Sequence, residues 1–192
     1  MAIENLVLAT TDFEKRGGLL HIGLCATSNL APTFTAVDAA DTHSVSLIQT
    51  ADLALFDLKQ GTGSLTTSGS KENGVMMFEH TLSFYIPNCS NEHFGNLQNL
   101  LQKQIAAVVV DHNDQAFLIG MSAAFQHTTG SSSFNNQMYA TMTGLEGGTG
   151  AALGDENGVT VTITCSSGEL PRTVSSAVTV AHAAGTMTLP TS

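Results

Sequence analysis

The 192-residue sequence has few charged residues, no tryptophan and only two tyrosines. Asp, Glu, Lys and Arg make up 11% of the chain, against about 25% in an average globular protein. A surface of small polar residues loses little solvation when it meets another subunit, so this composition is typical of a protein that works in an assembly. The scarcity of aromatic side chains argues against a carbohydrate-binding module, which would expose aromatic platforms.

Basic residues are especially scarce. Six Lys and Arg stand against 16 Asp and Glu, which gives a formal net charge of −10, and the basic residues do not cluster beyond the pair Lys15 and Arg16. Binding to phosphate groups needs several cations on one surface. The sequence therefore argues against a protein that grips nucleic acid, although an acidic wall lets a polyanion pass without adhering.

Metal, disulfide and membrane signals are missing as well. Cys25, Cys89 and Cys165 are too few and too far apart for a disulfide framework or a zinc site, so we expect buried thiols. The seven histidines form no HxH or HxxxH pair, and we predict no metal and no cofactor. No run approaches the roughly 18 apolar residues of a spanning helix, and Glu4 lies where a signal peptide carries positive charge. We expect a cytoplasmic protein without a membrane partner.

The sequence motifs that resemble catalytic or binding sites lack the flanking elements and residues that such sites require. The glycines at 148, 150 and 154 lack the preceding strand and following helix of a dinucleotide loop. Asp111 to Asp114 (DHND) resembles the opening of a calcium loop but lacks its later Gly and Glu, so a polar hairpin turn is expected. No GxSxG is present, and Asp155 and Glu156 are adjacent in a predicted turn. The sequence predicts no enzyme. An enzyme of unknown type, built by distant strands, is the lower-ranked alternative.

The strongest periodic signal is that of β-strands. Leu19–Ala26 follows Gly17-Gly18 and is mainly apolar, as in a strand buried on both faces. Residues 76–86 alternate and place His80 on one face with Leu82. Further strands are predicted at 45–56, 105–110, 116–121, 137–143, 159–165 and 174–180, with a glycine-rich loop at 144–158 whose Asn157-Gly158 pair favours a tight turn. The fold class is mainly β, a β-sandwich or barrel.

One flanking α-helix is predicted at about 90–104. Phe94, Leu97 and Leu101 fall at the three-and-four spacing of a single apolar stripe, which continues to Ile105. Ser90 is a candidate N-cap. The helix leads directly into the strand at 105–110.

The expected organisation has three segments: an N-terminal arm at 1–16, a β-sandwich domain at 17–170, and a C-terminal strand or arm at 171–192. Within the domain, residues 57–74 are polar and glycine-containing, which predicts a long loop between strands. A loop that gains little free energy by packing on its own domain needs a partner to offset the entropy cost of ordering it. We expect contact with another subunit there, through a set of polar residues: Lys59, Gln60, Thr62, Ser64, Lys71 and Glu72.

The order of these elements resembles tail-tube and related ring-forming structural proteins of bacteriophages. The resemblance covers most of residues 17–170 in the order of elements, and the residue pattern at 97–120 and 154–165 (LGDENGVTVTITC from Leu153) is similar too. It implies rings, commonly hexameric, that stack into a tube through which DNA passes without specific binding.

The same resemblance implies partners and location. The partners would be other copies of the chain and other virion proteins, and the protein would reside in the virion after assembly in the host bacterial cytoplasm. The predicted 57–74 loop would contact the next ring. Another virion ring, a head-tail connector and a capsid decoration protein are the alternatives.

Overall fold

The computed structural model describes residues 17–34, 43–49, 51, 53–56, 58–87, 91–122, 126–129, 133–136, 139–148, 157–182 and 185–189. The arm predicted at 1–16, the cap at Ser90 and the thiol of Cys89 lie outside these residues. The described elements are β1 (Leu19–Ala26), β2 (Leu30–Phe34), β3 (Ser44–Gln49), β4 (Leu53–Phe56), β5 (Ser64–Glu72), β6 (Val75–Pro87), α1 (Asn91–Leu100), β7 (Ile105–Asp111), β8 (Ala116–Ile119), β9 (Gln126–Thr129), β10 (Ser133–Asn136), β11 (Thr141–Gly148), β12 (Gly158–Ser167), β13 (Arg172–Val174), β14 (Val178–His182) and β15 (Gly185–Leu189).

These strands form two main sheets. The larger has nine strands in the order β15-β14-β4-β1-β7-β8-β13-β3-β2, and the smaller has four in the order β11-β12-β6-β5. β9 and β10 pair with each other as a separate ribbon. The predicted fold class, mainly β with one flanking helix, is confirmed.

The nine-stranded sheet curls into a half-barrel. β14 and β13 hold the second and seventh places in the sheet order, which in a flat sheet would be about 24 Å apart. Residues 175–177, which join them, span at most about 14 Å. The sheet must therefore curl. The Gln49 side-chain amide helps to close it, because it donates to the carbonyl oxygen of Thr179 at 2.6 Å and accepts from the Thr179 N–H at 2.6 Å.

β7 lies in the middle of the large sheet and is buried on both faces. Ile105, Ala107 and Val109 contribute to the core between the two sheets, and the alternate residues contribute to a second core inside the curl. The first core takes Leu82, Phe84 and Ile86 from β6 and Val161 and Ile163 from β12, and the second takes Cys25, Leu30, Val45, Leu47, Leu53, Leu118, Val174, Val178 and Leu189. The β-branched run at 105–110 is thus explained by burial on both sides.

α1 is shorter than predicted, and its apolar stripe differs. Leu97 and Leu100 are buried against the first core, whereas Phe94 is 47% and Leu101 41% exposed. The helix ends at Leu100 because the following residues turn toward the sheet, where the carbonyl oxygen of Gln104 accepts from the Thr27 N–H at 2.9 Å. The Leu101 N–H still donates to the Leu97 carbonyl oxygen at 3.1 Å, but the buried side of the helix is centred on Leu97 and Leu100, so the stripe predicted through Phe94 and Leu101 is wrong.

Three further sequence predictions need correction. The run 45–56, within which one strand was expected, contains both β3 and β4, and the strand expected at 174–180 is divided between β13 and β14. The glycine-rich loop expected at 144–158 is a strand in its first part, since β11 extends to Gly148 and pairs with β12. Glycine suits this pairing because a Cβ at Gly147 would overlap the backbone of Gly158 and Val159.

Candidate functional site

A long β-hairpin formed by β5 and β6 is the most prominent feature of the small sheet. Its turn is Asn73-Gly74, and both residues have positive φ, 49° and 84°, as a two-residue type I′ turn requires. The long loop predicted at 57–74 is therefore wrong from Ser64 onward. β5 is polar, yet its Thr and Ser residues tolerate strand geometry, and β6 supplies hydrogen-bonding partners for its backbone.

The tip of the hairpin protrudes beyond the sheet. β12 accompanies β6 only from Pro87 to Phe78, whereas β5 and β6 remain paired to Glu72 and Val75. The residues past Phe78 thus form a two-stranded ribbon, which we call the hairpin tip (residues 70–77). Its Val75 and Met76 are 59% and 43% exposed.

The inner face of the hairpin is apolar next to the tip. Gly69 has no side chain, and a Cβ there would lie only 2.6 Å from Met76 Cε and 3.0 Å from Phe78 Cε1. Phe78 in turn stacks on His80, with ring centroids 6.5 Å apart and planes 7° from parallel. The side chains of Met76 and Phe78 thus pack over Gly69, and this packing joins the two strands next to the tip.

A buried histidine attaches the hairpin to the rest of the fold. His80 is 3% exposed, and its Nε2 lies 3.1 Å from the carbonyl oxygen of Glu169 while Nδ1 lies 3.0 Å from Thr67 Oγ1. A carbonyl oxygen only accepts, so Nε2 carries the proton and Nδ1 accepts from the Thr67 hydroxyl. Burial lowers the pKa of His80, an effect opposed by its bond to the Glu169 carbonyl.

An ion pair continues this network below the hairpin. Arg172 Nη2 and Nε donate to Glu169 Oε2 at 2.7 and 3.1 Å, and Arg172 Nη1 donates to the Ser44 carbonyl at 3.3 Å. Ser122 Oγ donates to Glu169 Oε1 at 2.9 Å. Arg172 and Ser122 are buried. The Glu169 carboxylate thus joins Ser122, which follows β8, to Arg172 in β13. The backbone carbonyl of Glu169 contacts His80.

The six residues predicted to contact another subunit do not form one cluster. Four lie at the base of the hairpin: Lys59, Gln60, Thr62 and Ser64. The other two, Lys71 and Glu72, pair with Met76 and Val75 in the tip, about 23 Å further along β5 by strand geometry.

The base residues take part in a local turn. Lys59 donates its N–H to the Tyr85 carbonyl at 3.2 Å, and its ammonium lies 5.7 Å from the Tyr85 ring centroid. Thr62 Oγ1 donates to the Lys59 carbonyl at 2.6 Å. The base is thus held in place by its own domain, and the tip is the part of the predicted loop that projects away from it.

A groove of about 460 Å³ lies beside the first residues of β5, at Ser64, Leu65 and Thr67. Apolar lining is given by Leu19, Leu65, Phe117, Leu170 and Pro171, and the rest of the wall by Gly17, Gly18, Ser64, Thr67 and Asp111. Asp111 is engaged in the β7–β8 turn, where its Oδ1 accepts from the backbone N–H of Asn113 at 2.8 Å and of Gln115 at 2.9 Å. The polar turn predicted there is confirmed.

The remaining chemistry of the described residues is sparse. Cys25 and Cys165 are buried thiols, as predicted, and burial raises their pKa to about 12 and about 11. Within the described ranges no group of three or more His, Cys, Asp or Glu is placed to hold a metal ion. No helix in the same part of the chain is long and apolar enough to cross a bilayer.

We expect the pH dependence of stability to report on His80. Its pKa in the folded protein is below the unfolded value, so as pH falls through about 6.5 the unfolded chain binds a proton that the folded one does not. The free energy of unfolding should then fall by up to about 1.4 kcal/mol per pH unit from this group.

Urea unfolding between pH 7.5 and 5 measures this effect. His80→Gln can keep both hydrogen bonds and does not titrate, so it should show a shallower acid slope than wild type, while the other histidines contribute equally to both proteins. Identical slopes would contradict the assignment of a neutral, buried His80.

The ion pair at Glu169 and Arg172 was missed by sequence reasoning. Opposite charges three residues apart, in a chain with so few charges, were the available signal, and the convergence with Ser122 and His80 is not visible in the sequence.

The chain was compared with protein-family models, with curated proteins and with solved structures, and none of the three comparisons gave a significant match.

Proposed function

We propose that this chain is a structural virion subunit that assembles with its own copies into stacked rings, as phage tail tube proteins do, around a lumen through which DNA passes. The observation that carries the proposal is the protruding hairpin tip. Val75 and Met76 project on a ribbon that extends past β12, where the rest of the small sheet does not follow. A protruding ribbon with exposed apolar side chains suits contact with another subunit.

Sheet edges support lateral assembly. Among the described strands, β5 and β11 are the outer ones of the small sheet, and β15 and β2 are the outer ones of the large sheet. An unpaired edge offers backbone donors and acceptors to another chain, and a head-to-tail contact that closes by rotation gives a ring. Lateral contacts through the edges and axial contacts through the hairpin tip would use different surfaces.

Composition supports the same function. A chain with 11% charged residues loses little solvation at subunit interfaces, and the net charge of −10 suits a wall that a polyanion passes without adhering. No described residue pattern gives the clustered cations that nucleic-acid binding requires.

Sedimentation velocity over a concentration series tests the proposal. The protein should shift from the monomer to discrete multiples of its 20.0 kDa mass and then to larger species as rings stack. Discrete rings that never stack would favour a connector, and assembly only on a capsid lattice would favour a decoration protein. A monomer that persists at the highest soluble concentration would contradict self-assembly.

A further inference from the structure

The groove beside β5 has the form of an acceptor for one extended chain segment. β5 is nine residues long and, among the described strands, pairs with β6 alone, and its Ser64, Leu65 and Thr67 line the groove. Adding a strand to such an edge gives main-chain hydrogen bonds, and pockets beside it select side chains. Leu65, Phe117 and Leu170 line the groove and can contact the apolar side chains of an added strand.

The end of the groove next to Leu19 is closed by the protein's own backbone. The Leu19 N–H donates to the Gly63 carbonyl at 3.2 Å, so the available edge begins at Ser64. At the other wall, His43 Nε2 lies 2.9 Å from the Leu170 carbonyl oxygen, which holds that backbone in position. Leu170 nevertheless leaves 51% of its surface exposed, because nothing in the described chain covers it.

Residues 1–16 are the segment of this chain best placed to fill the groove. They precede Gly17 and Gly18, which line it. The segment, MAIENLVLATTDFEKR, contains no Pro or Gly, so every residue in it can enter a strand ladder. Residues 6–9 (LVLA) provide the apolar side chains that the groove lining requires.

We propose that residues 1–16 of one copy add as a strand to the β5 edge of a second copy. Each copy then has one donor segment and one acceptor edge, which makes the contact head-to-tail and able to close into a ring. The inference rests on the proposed function for its choice of a second copy.

A peptide titration tests the groove as the acceptor. A labelled peptide of residues 1–16 is added to the full-length protein, and fluorescence anisotropy reports binding. Binding should saturate, and Leu170→Asp should weaken it at least tenfold because an unpaired carboxylate enters an apolar contact. Leu145→Asp is the matched control, since Leu145 is 44% exposed on β11 at the opposite edge of the small sheet, and it should bind as the parent protein does.

Absence of saturable binding, or equal affinities of the two Asp variants, would overturn the groove as the acceptor. Peptide binding requires no ring, so this result is independent of whether the protein assembles. Circular dichroism and urea unfolding of both variants confirm that they remain folded.

Mixed disulfide trapping identifies the donor copy. In a Cys89→Ser background, one protein carries Ser68→Cys on β5 and a second, tagged protein carries Thr10→Cys or Thr11→Cys, which cover both faces of an added strand. Mild oxidation should link tagged to untagged chains. A protein with both cysteines that forms only an intramolecular bond, with no linked pair in the mixture, would overturn the second copy as donor.

Discussion

Shortening the hairpin tip is expected to leave the subunit folded and to abolish ring stacking. Removal of Ser70, Lys71, Met76 and Met77 deletes two complete residue pairs of the β5–β6 ladder and keeps the Asn73-Gly74 turn. An even number of residues is removed from each strand, so the alternation of faces is preserved. The deleted residues lie beyond β12 and outside both cores, so urea unfolding should show little loss of stability.

A milder variant separates side-chain contact from length. Val75→Thr with Met76→Thr keeps the ribbon and removes its apolar surface, and we expect stacking to weaken by about tenfold or more, as for truncated interface anchors. Ile48→Thr is the matched control, because Ile48 is 62% exposed on β3, away from the hairpin. If the protein with the four-residue deletion formed tubes of normal length, the tip would not be the part that joins successive rings.

Deletion of residues 61–71, most of the polar segment predicted as a loop, is not a clean test. It would remove nearly all of β5, expose the partly buried Leu65 and cut the Gly63 contact with Leu19. We therefore expect that larger deletion to destabilise the subunit itself, and any loss of assembly from it would have two causes.

Gly120→Ala is expected to cost the fold roughly 3–5 kcal/mol, from backbone strain and overpacking together. Gly120 has φ of 89°, and a Cβ there would overlap the Ile105 carbonyl oxygen and approach the Ala140 N to 3.1 Å. Those residues exchange two backbone hydrogen bonds of 2.9 and 3.0 Å, the bridge between β7 and the start of β11. A loss of this size is a large part of the 5–15 kcal/mol typical of a domain.

Gly61→Ala provides the control for this substitution. Gly61 also has a positive φ, 79°, but a Cβ there would meet nothing within 4 Å, so only the backbone strain of about 1 kcal/mol applies. Urea unfolding followed by circular dichroism compares the two. Equal losses would mean that the space around Gly120 can adjust and that the bridge between the sheets is not constrained.

Elements that bury alternating or continuous apolar faces were predictable from the sequence. β1 has the predicted bounds, and the β7–β8 hairpin forms around the predicted polar turn. His80 lies on the buried face of β6, as its period-two position indicated. In each case the local pattern and the tertiary burial agree, which is when periodicity is a dependable guide.

β5 was not predictable by the same rule, because polarity was taken as the sign of a loop. Thr66, Ser68 and Ser70 are exposed, and a strand at the edge of a sheet needs no apolar face when its neighbour supplies the pairing. The Asn73-Gly74 dipeptide was the local signal that would have identified the hairpin. The Glu169 network depends on contacts such as Ser122 to Glu169, 47 residues apart, for which a single sequence holds no local pattern.

Cryo-electron microscopy of the concentrated protein tests the account most directly. We expect rings that stack into tubes, with the hairpin tip at residues 70–77 lying against the next ring and the charge-poor walls enclosing a lumen. A field of single subunits, or assemblies in which Val75 and Met76 face solvent and contact no neighbouring ring, would contradict it.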